Sequence, residues 1–243
     1  MATGGKALRK FSGAFQALAQ KVGPRSPPMT VKDFTKACSE LQSLIHLMGD
    51  ETSIWFADYG RKVEQIQSRS RGAATLKELV EQDMANNTVK AADSNTTILL
   101  RLMRALQVVK VLFEQLLKGS NIITFIDQCA KKEVSEQLFL HLCEPTYIEF
   151  HNPKKKCECR GVEFQSAATT AYMVVFGAYH KEPIQNMVKR AISSLPTRAW
   201  LMNKINEEEG DIFIEMRKYV DASAAVINYI EELFTSNGLE MNW

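Results

Sequence analysis

Nine apolar residues, Ile98, Leu99, Leu102, Ala105, Leu106, Val109, Leu112, Phe113 and Leu116, return at steps of three and four. That spacing predicts one long helix over Ile98–Leu117 with a wide apolar stripe. Arg101 and Arg104 sit one turn apart beside the stripe. A helix of this kind can line a greasy interior and hold cationic heads at its mouth, which is what an amphiphile with an anionic head group requires. Taken alone, the pattern is more simply an ordinary buried helix whose arginines reach solvent.

The same spacing recurs along the chain. Leu8, Phe11, Phe15, Leu18 and Val22 form one helical face, and Phe34, Ala37, Cys38, Leu41, Leu44, Ile45 and Met48 form another. Gly23-Pro24-Arg25-Ser26-Pro27-Pro28 breaks the chain between them, and Thr30 with Asp33 reads as a capping-box-like start. A third helix is expected from about 52 to 71. Thr75 and Glu78 announce a fourth, and the long helix should follow Asp93-Ser94 and finish at Lys118-Gly119. Helices are expected again near 166–180, 184–194, 197–208 and 211–236. Strand-like alternation is almost absent, so the predicted fold is all-α: one helical domain made of 1–119 and 166–243. The exception is 120–165, read as a flexible insert. It has β-leaning patches (IITFI, TYIEF, GVEF) and a Lys154-Lys155-Lys156 run. Cys129, His141, Cys143, His151, Cys157 and Cys159 there could be imagined as zinc ligands. Cys157-x-Cys159 lacks the usual ligand spacing, so no metal is expected.

Composition excludes several classes. The 30 basic and 28 acidic side chains leave a net charge of +2, which gives no global drive toward nucleic acid. No run approaches the roughly 18 apolar residues of a membrane span. The opening segment lacks the apolar core and cleavage site of a secretory signal, so an ordinary amphipathic first helix is preferred over a mitochondrial address. Five cysteines without a paired framework agree with free thiols and a cytosolic location. The chain has no GxSxG, HExxH, GxxxxGK[ST] or GxGxxG motif, and no enzymatic activity and no cofactor are expected.

Two further features bear on a site. Asp58 and Lys62 lie four residues apart on one side of the third helix, beside a stripe of Trp55, Tyr59 and Ile66. Such a pair is commonly a surface ion pair worth about 0.3–0.5 kcal/mol. His180 ends the apolar run Tyr172-Met-Val-Val-Phe-Gly-Ala-Tyr-His180. A histidine there is more often a satisfied structural donor than a functional group.

The segments ALRKFSGAFQALA (7–19), VKDFTKACSEL (31–41), FADYGRKV (56–63), LLRLMRALQVVKVLFEQ (99–115), SLPTRAWLMN (194–203) and YVDASAAVINYIEELF (219–234) carry a family resemblance. The chain resembles the glycolipid-transfer-protein fold family, in its ceramide-1-phosphate branch, typified by plant accelerated-cell-death sphingolipid transfer proteins. The resemblance implies a two-layer helical sandwich enclosing a hydrophobic lipid pocket, with a short loop where 120–165 stands here. It implies that Asp58 binds the ceramide amide and hydroxyl, that Lys62 and Arg101 grip phosphate with Arg104 in support, and that His180 donates to the amide carbonyl. The family's other phosphate arginine appears here as Thr97, and its Gly-Trp after the histidine as Lys181-Glu182. Lys90 and Lys181 are candidates to restore the missing charge.

The function so implied is sphingolipid transfer between membranes without chemical conversion, through transient contact with a membrane surface. Trp200 and Trp243 are candidates to touch the bilayer. The alternative is a non-transferring lipid sensor or protein-interaction module that meets a protein partner through 120–165. A lipid-acting or zinc-dependent enzyme ranks last.

Overall fold

A computed structural model describes residues 7–23, 26–47, 50–131, 163–205 and 209–242. The described residues contain helices α1 (Ala7–Ala19), α2 (Val31–Leu47), α3 (Asp50–Arg69), α4 (Leu76–Ala85), α5 (Asn95–Lys131), α6 (Phe164–Phe176), α7 (Glu182–Ser193), α8 (Arg198–Ile205) and α9 (Glu209–Ser236). They contain no strand, only an isolated bridge between Thr30 and Thr75. The all-α organisation is as expected.

Local chemistry fixes several boundaries. Thr30 Oγ1 accepts from the Asp33 amide at 3.1 Å and so caps α2. Thr75 Oγ1 accepts from the Glu78 amide at 3.2 Å while Glu78 accepts from the Ala74 amide at 2.6 Å, a reciprocal capping box on α4. At the start of α5, Ser94 Oγ accepts from the Thr97 amide at 3.0 Å. A carboxylate from another helix completes that cap: Asp83 of α4 accepts from the Thr96 amide at 2.6 Å and the Thr96 hydroxyl at 2.7 Å.

Two boundaries differ most from expectation: the helix expected over 166–180 stops at Phe176, leaving His180 in a turn and not at a helix end, and the long helix runs on past its expected stop. Lys118-Gly119 does not end the long helix, which continues to Lys131. A single glycine costs a helix only about 1 kcal/mol relative to alanine. Ile122, Ile123, Ile126 and Cys129 resume the three-and-four spacing past it, so IITFI belongs to a helical period. Residues 132–162 lie outside the described residues, and with them most of the expected insert and its Cys and His residues from His141 to Cys159.

The stripes read from sequence are the ones that become buried. Leu8, Phe11 and Phe15 of α1 are fully enclosed, as are Phe34 of α2 and Leu99, Leu102 and Leu106 of α5. α1 packs on α2 and α9, α2 on α3, and α9 on α5, while α5 also meets α3, α4 and α6. The centre of the core is aromatic. Tyr219 of α9 stacks on Phe11 at 4.3 Å between centroids and meets Phe15 and Phe113 edge-on. Its hydroxyl donates to the Leu106 carbonyl at 3.0 Å, so a buried polar atom is satisfied by α5 itself. No helix among the described residues is long and apolar enough to cross a membrane.

Candidate functional site

Between α3, α5, α6 and α7 lies a cavity of about 570 Å³. Its wall is mainly apolar: Leu100, Leu102, Ala105, Val108 and Leu112 come from α5, Phe164, Ala168, Tyr172 and Phe176 from α6, and Val188, Ala191 and Ile192 from α7. This is why α5 is oily over more than one face. One stripe serves the core and a neighbouring one the cavity. Asp58, Lys62, Arg101, Arg104 and His180, drawn from two helices and a turn, all line this same cavity.

Asp58 and Lys62 form the expected i,i+4 ion pair. It is not an ordinary surface pair, because the Lys62 side chain is only 6% exposed while Asp58 is 54% exposed. The ammonium is thus largely desolvated and fixed in place, whereas the carboxylate keeps a solvent-facing edge. Asp58 also accepts from Arg61 at 2.5 Å. Burial on its own would raise the Asp58 pKa, but the hydrogen bonds and charges of Lys62 and Arg61 outweigh it and hold the carboxyl below its usual 3.8.

Arg101 is exposed at the lip and engages no hydrogen-bond partner among the described residues. Arg104 is buried. Its guanidinium donates to the Met241 carbonyl oxygen and lies 4.1 Å from the centroid of the Tyr179 ring. Burial lowers its pKa, against the opposing effect of Tyr179, and the like charge of Arg101 lowers it further.

His180 stands in the turn between α6 and α7. Its Nδ1 is 2.9 Å from the Tyr172 hydroxyl, and its ring stacks on Phe176 at 5.1 Å with 10° between planes. Burial first, and then the positive charge of Arg104, push its pKa below 6.5 and favour the neutral imidazole. Gln185, one turn into α7, donates to the carbonyls of both Gly177 and His180 at 2.8 Å and so fixes this turn.

Sequence reasoning did not single out Arg61, Tyr179 or Gln185. Arg61 was legible as an i,i+3 partner of Asp58, Tyr179 carries no local signal because its partner Arg104 lies on α5, and Gln185 bonds backbone carbonyls of the preceding turn, which no side-chain pattern announces. Thr97 lines the cavity, buried, with its hydroxyl committed to the Val89 carbonyl at 3.2 Å. Lys90 and Lys181 are not among the described residues lining the cavity. Trp200 is half-buried and packed against the core, and Trp243 lies outside the described residues. The described residues contain no cluster of His, Cys, Asp and Glu suited to a metal ion.

Residues 29–207 match the model of the family described as Glycolipid transfer protein (GLTP). The chain is 31% identical over 240 residues to Accelerated cell death 11 of Arabidopsis thaliana, covering 98% of this chain and 97% of the relative. Its fold is similar to a crystal structure of a point variant of that Arabidopsis protein complexed with ceramide-1-phosphate, with a TM-score of 0.76, 30% identity and 98% of each chain covered. Human ceramide-1-phosphate transfer protein in complex with its lipid aligns with a TM-score of 0.67 over 94% of this chain and 96% of that one. At 15% identity that likeness speaks to the fold alone.

Proposed function

The chain belongs to the glycolipid transfer protein family, and on that premise we propose that it binds ceramide-1-phosphate-like sphingolipids and moves them between membranes without chemical conversion. One observation carries the reading: a carboxylate, three cations and an imidazole, drawn from two helices and a turn, line a single apolar cavity.

The cavity addresses the slow step of lipid exchange. Exposing a fatty chain to water costs about 0.8 kcal/mol per methylene, or about 13 kcal/mol for a sixteen-carbon tail. An apolar cavity offers the tail an environment equivalent to the bilayer, so transfer needs no energy source. Selectivity then falls to the head group. Lys62 and Arg101 supply ionised donors for the phosphate, and such bonds are roughly twice as strong as neutral ones. Asp58 accepts from the amide N–H and hydroxyl of the ceramide. A lipid lacking those donors leaves its carboxylate poorly satisfied. Tyr172 keeps its proton because burial raises its pKa. In the tautomer where that hydroxyl donates to Nδ1 of His180, Nε2 carries the ring proton and is the donor offered to the amide carbonyl.

A cytosolic protein with transient membrane contact fits this role. The alternative, a lipid sensor or interaction module that does not transfer, draws support from Thr97, which leaves the lip with fewer cations. Transfer of fluorescent ceramide-1-phosphate between liposomes separates the two. The intact chain is expected to transfer, and Asp58→Val combined with Arg101→Glu to reduce the rate at least about tenfold, since each removes a charged head-group contact. Undiminished transfer by the double variant refutes the site, and stoichiometric binding without transfer by the intact chain favours the alternative.

A further inference from the structure

Arg104 lines two hollows. One face of it borders the apolar cavity, and the other borders an outer hollow of about 460 Å³ between α5, α6 and α9 that also contains Met241 and Tyr179. Its guanidinium donates to the Met241 carbonyl, which borders only the outer hollow, and lies over the ring of Tyr179, which lines both.

The tail that supplies this carbonyl is placed by local chemistry. α9 ends at Ser236, and Gly238 adopts a φ of 66°, a left-handed conformation open to glycine at little cost. The Leu239 amide then donates to the Phe234 carbonyl at 3.0 Å, turning the chain back on the helix. Leu239 and Met241 pack against the core on alternate positions while Glu240 stays exposed. The tail is therefore a short strap, bent at Met241, whose backbone meets the second arginine of α5.

We propose that this C-terminal strap sets head-group specificity by holding Arg104 away from the cationic lip, and that a phosphate-bearing sphingolipid competes with the Met241 carbonyl for the same guanidinium. The inference rests on the head-group reading above. A carbonyl is a neutral acceptor, whereas a phosphate is charged and can take a guanidinium through two parallel bonds. A phosphorylated lipid thus draws Arg104 inward and loosens the strap, while a ceramide without phosphate leaves the strap in place. By reciprocity, removing the strap raises affinity for the phosphorylated lipid and leaves the unphosphorylated one unaffected.

The test compares the full chain with a chain ending at Gly238, each with and without Arg104→Gln, by equilibrium partitioning of ceramide-1-phosphate and of ceramide with the same chains from phosphatidylcholine vesicles. The shortened chain is expected to prefer ceramide-1-phosphate over ceramide about fivefold more strongly than the full chain, and Arg104→Gln to abolish that gain. Tyr179 also hydrogen-bonds the Arg104 guanidinium, so Tyr179→Phe in the full chain, which keeps the ring and loses the hydroxyl, should shift the preference the same way by about twofold. Should the shortened chain fail to fold, hydrogen exchange on the full chain decides: amides of 239–242 lose protection on binding ceramide-1-phosphate but not ceramide. An unchanged preference in a folded shortened chain, a gain that survives Arg104→Gln, or unchanged protection overturns the strap. Failure of the full chain to prefer ceramide-1-phosphate at all overturns instead the head-group reading beneath it.

Discussion

The contrast between Lys62 and Asp58 is a matter of single side chains. Four residues apart on one helix, they are 6% and 54% exposed, and this sets which can move when a ligand arrives. The ammonium is fixed by its burial, and the half-open carboxylate can exchange a protein donor for a lipid one. Among Asp58, Lys62, Arg101, Arg104 and His180 at the cavity, His180 is the one whose charge answers to pH near neutrality. Its pKa is depressed by burial and by Arg104, so the deprotonated ring favours the folded state. Its contribution to stability is complete above 6.5 and is lost as pH falls from there through its lowered midpoint. Asp58 behaves alike at lower pH, its contribution being complete above 3.8 and lost as pH falls through its depressed value. In a histidine NMR titration, His180 is expected to show a midpoint below 6.5, and Arg104→Gln to move it upward. A midpoint at or above 6.5 in the intact protein would contradict the desolvated environment assigned to it.

At the scale of elements, the cations of the lip depend on how α3 and α5 are held together. Asn95, the first residue of α5, donates from Nδ2 to Asp83 at 3.0 Å and accepts from Arg69, the last residue of α3, at 2.7 Å. Asp83 is buried and caps α5 through Thr96. One carboxylate on α4 thereby fixes the start of the helix bearing Arg101 relative to the end of the helix bearing Lys62. Asp83→Ala leaves several buried donors unsatisfied and is expected to destabilise the fold by about 2–4 kcal/mol in urea unfolding at equilibrium. A loss under about 0.5 kcal/mol would mean that solvent caps α5 equally well. Capping signals of this kind were partly legible. Thr30 and Asp33, or Thr75 and Glu78, are local pairs and could be read from the chain. Asp83 serving α5 across a loop could not.

On the scale of the whole molecule, the core and the cavity divide the apolar surface of α5. Leu99, Leu102 and Leu106 are sealed within the core, whereas Leu100, Ala105, Val108 and Leu112 line the hollow beside it, where Leu102 also reaches. A ligand that fills the hollow binds the folded state and not the unfolded chain. Ceramide-1-phosphate at about 100 times its Kd is therefore expected to add about 2.7 kcal/mol of stability and to raise Tm with lipid concentration. Asp58→Val with Arg101→Glu should suppress that rise. A Tm indifferent to the lipid in the intact protein would argue that the hollow is not its binding place.

The sequence by itself determined the helices, their buried faces and the residue types able to meet an anionic amphiphile, because a period of 3.6 residues and an i,i+4 pair are local properties of the chain. It misjudged the end of α5, since one glycine does not outweigh a continuing apolar period. Only the tertiary structure decided that Lys62, Arg101 and His180 share one cavity, that Gln185 fixes the turn carrying His180, and that the Met241 carbonyl holds Arg104. Most of those relations join residues far apart along the chain. Distance along a chain carries no record of which side chains packing will bring face to face.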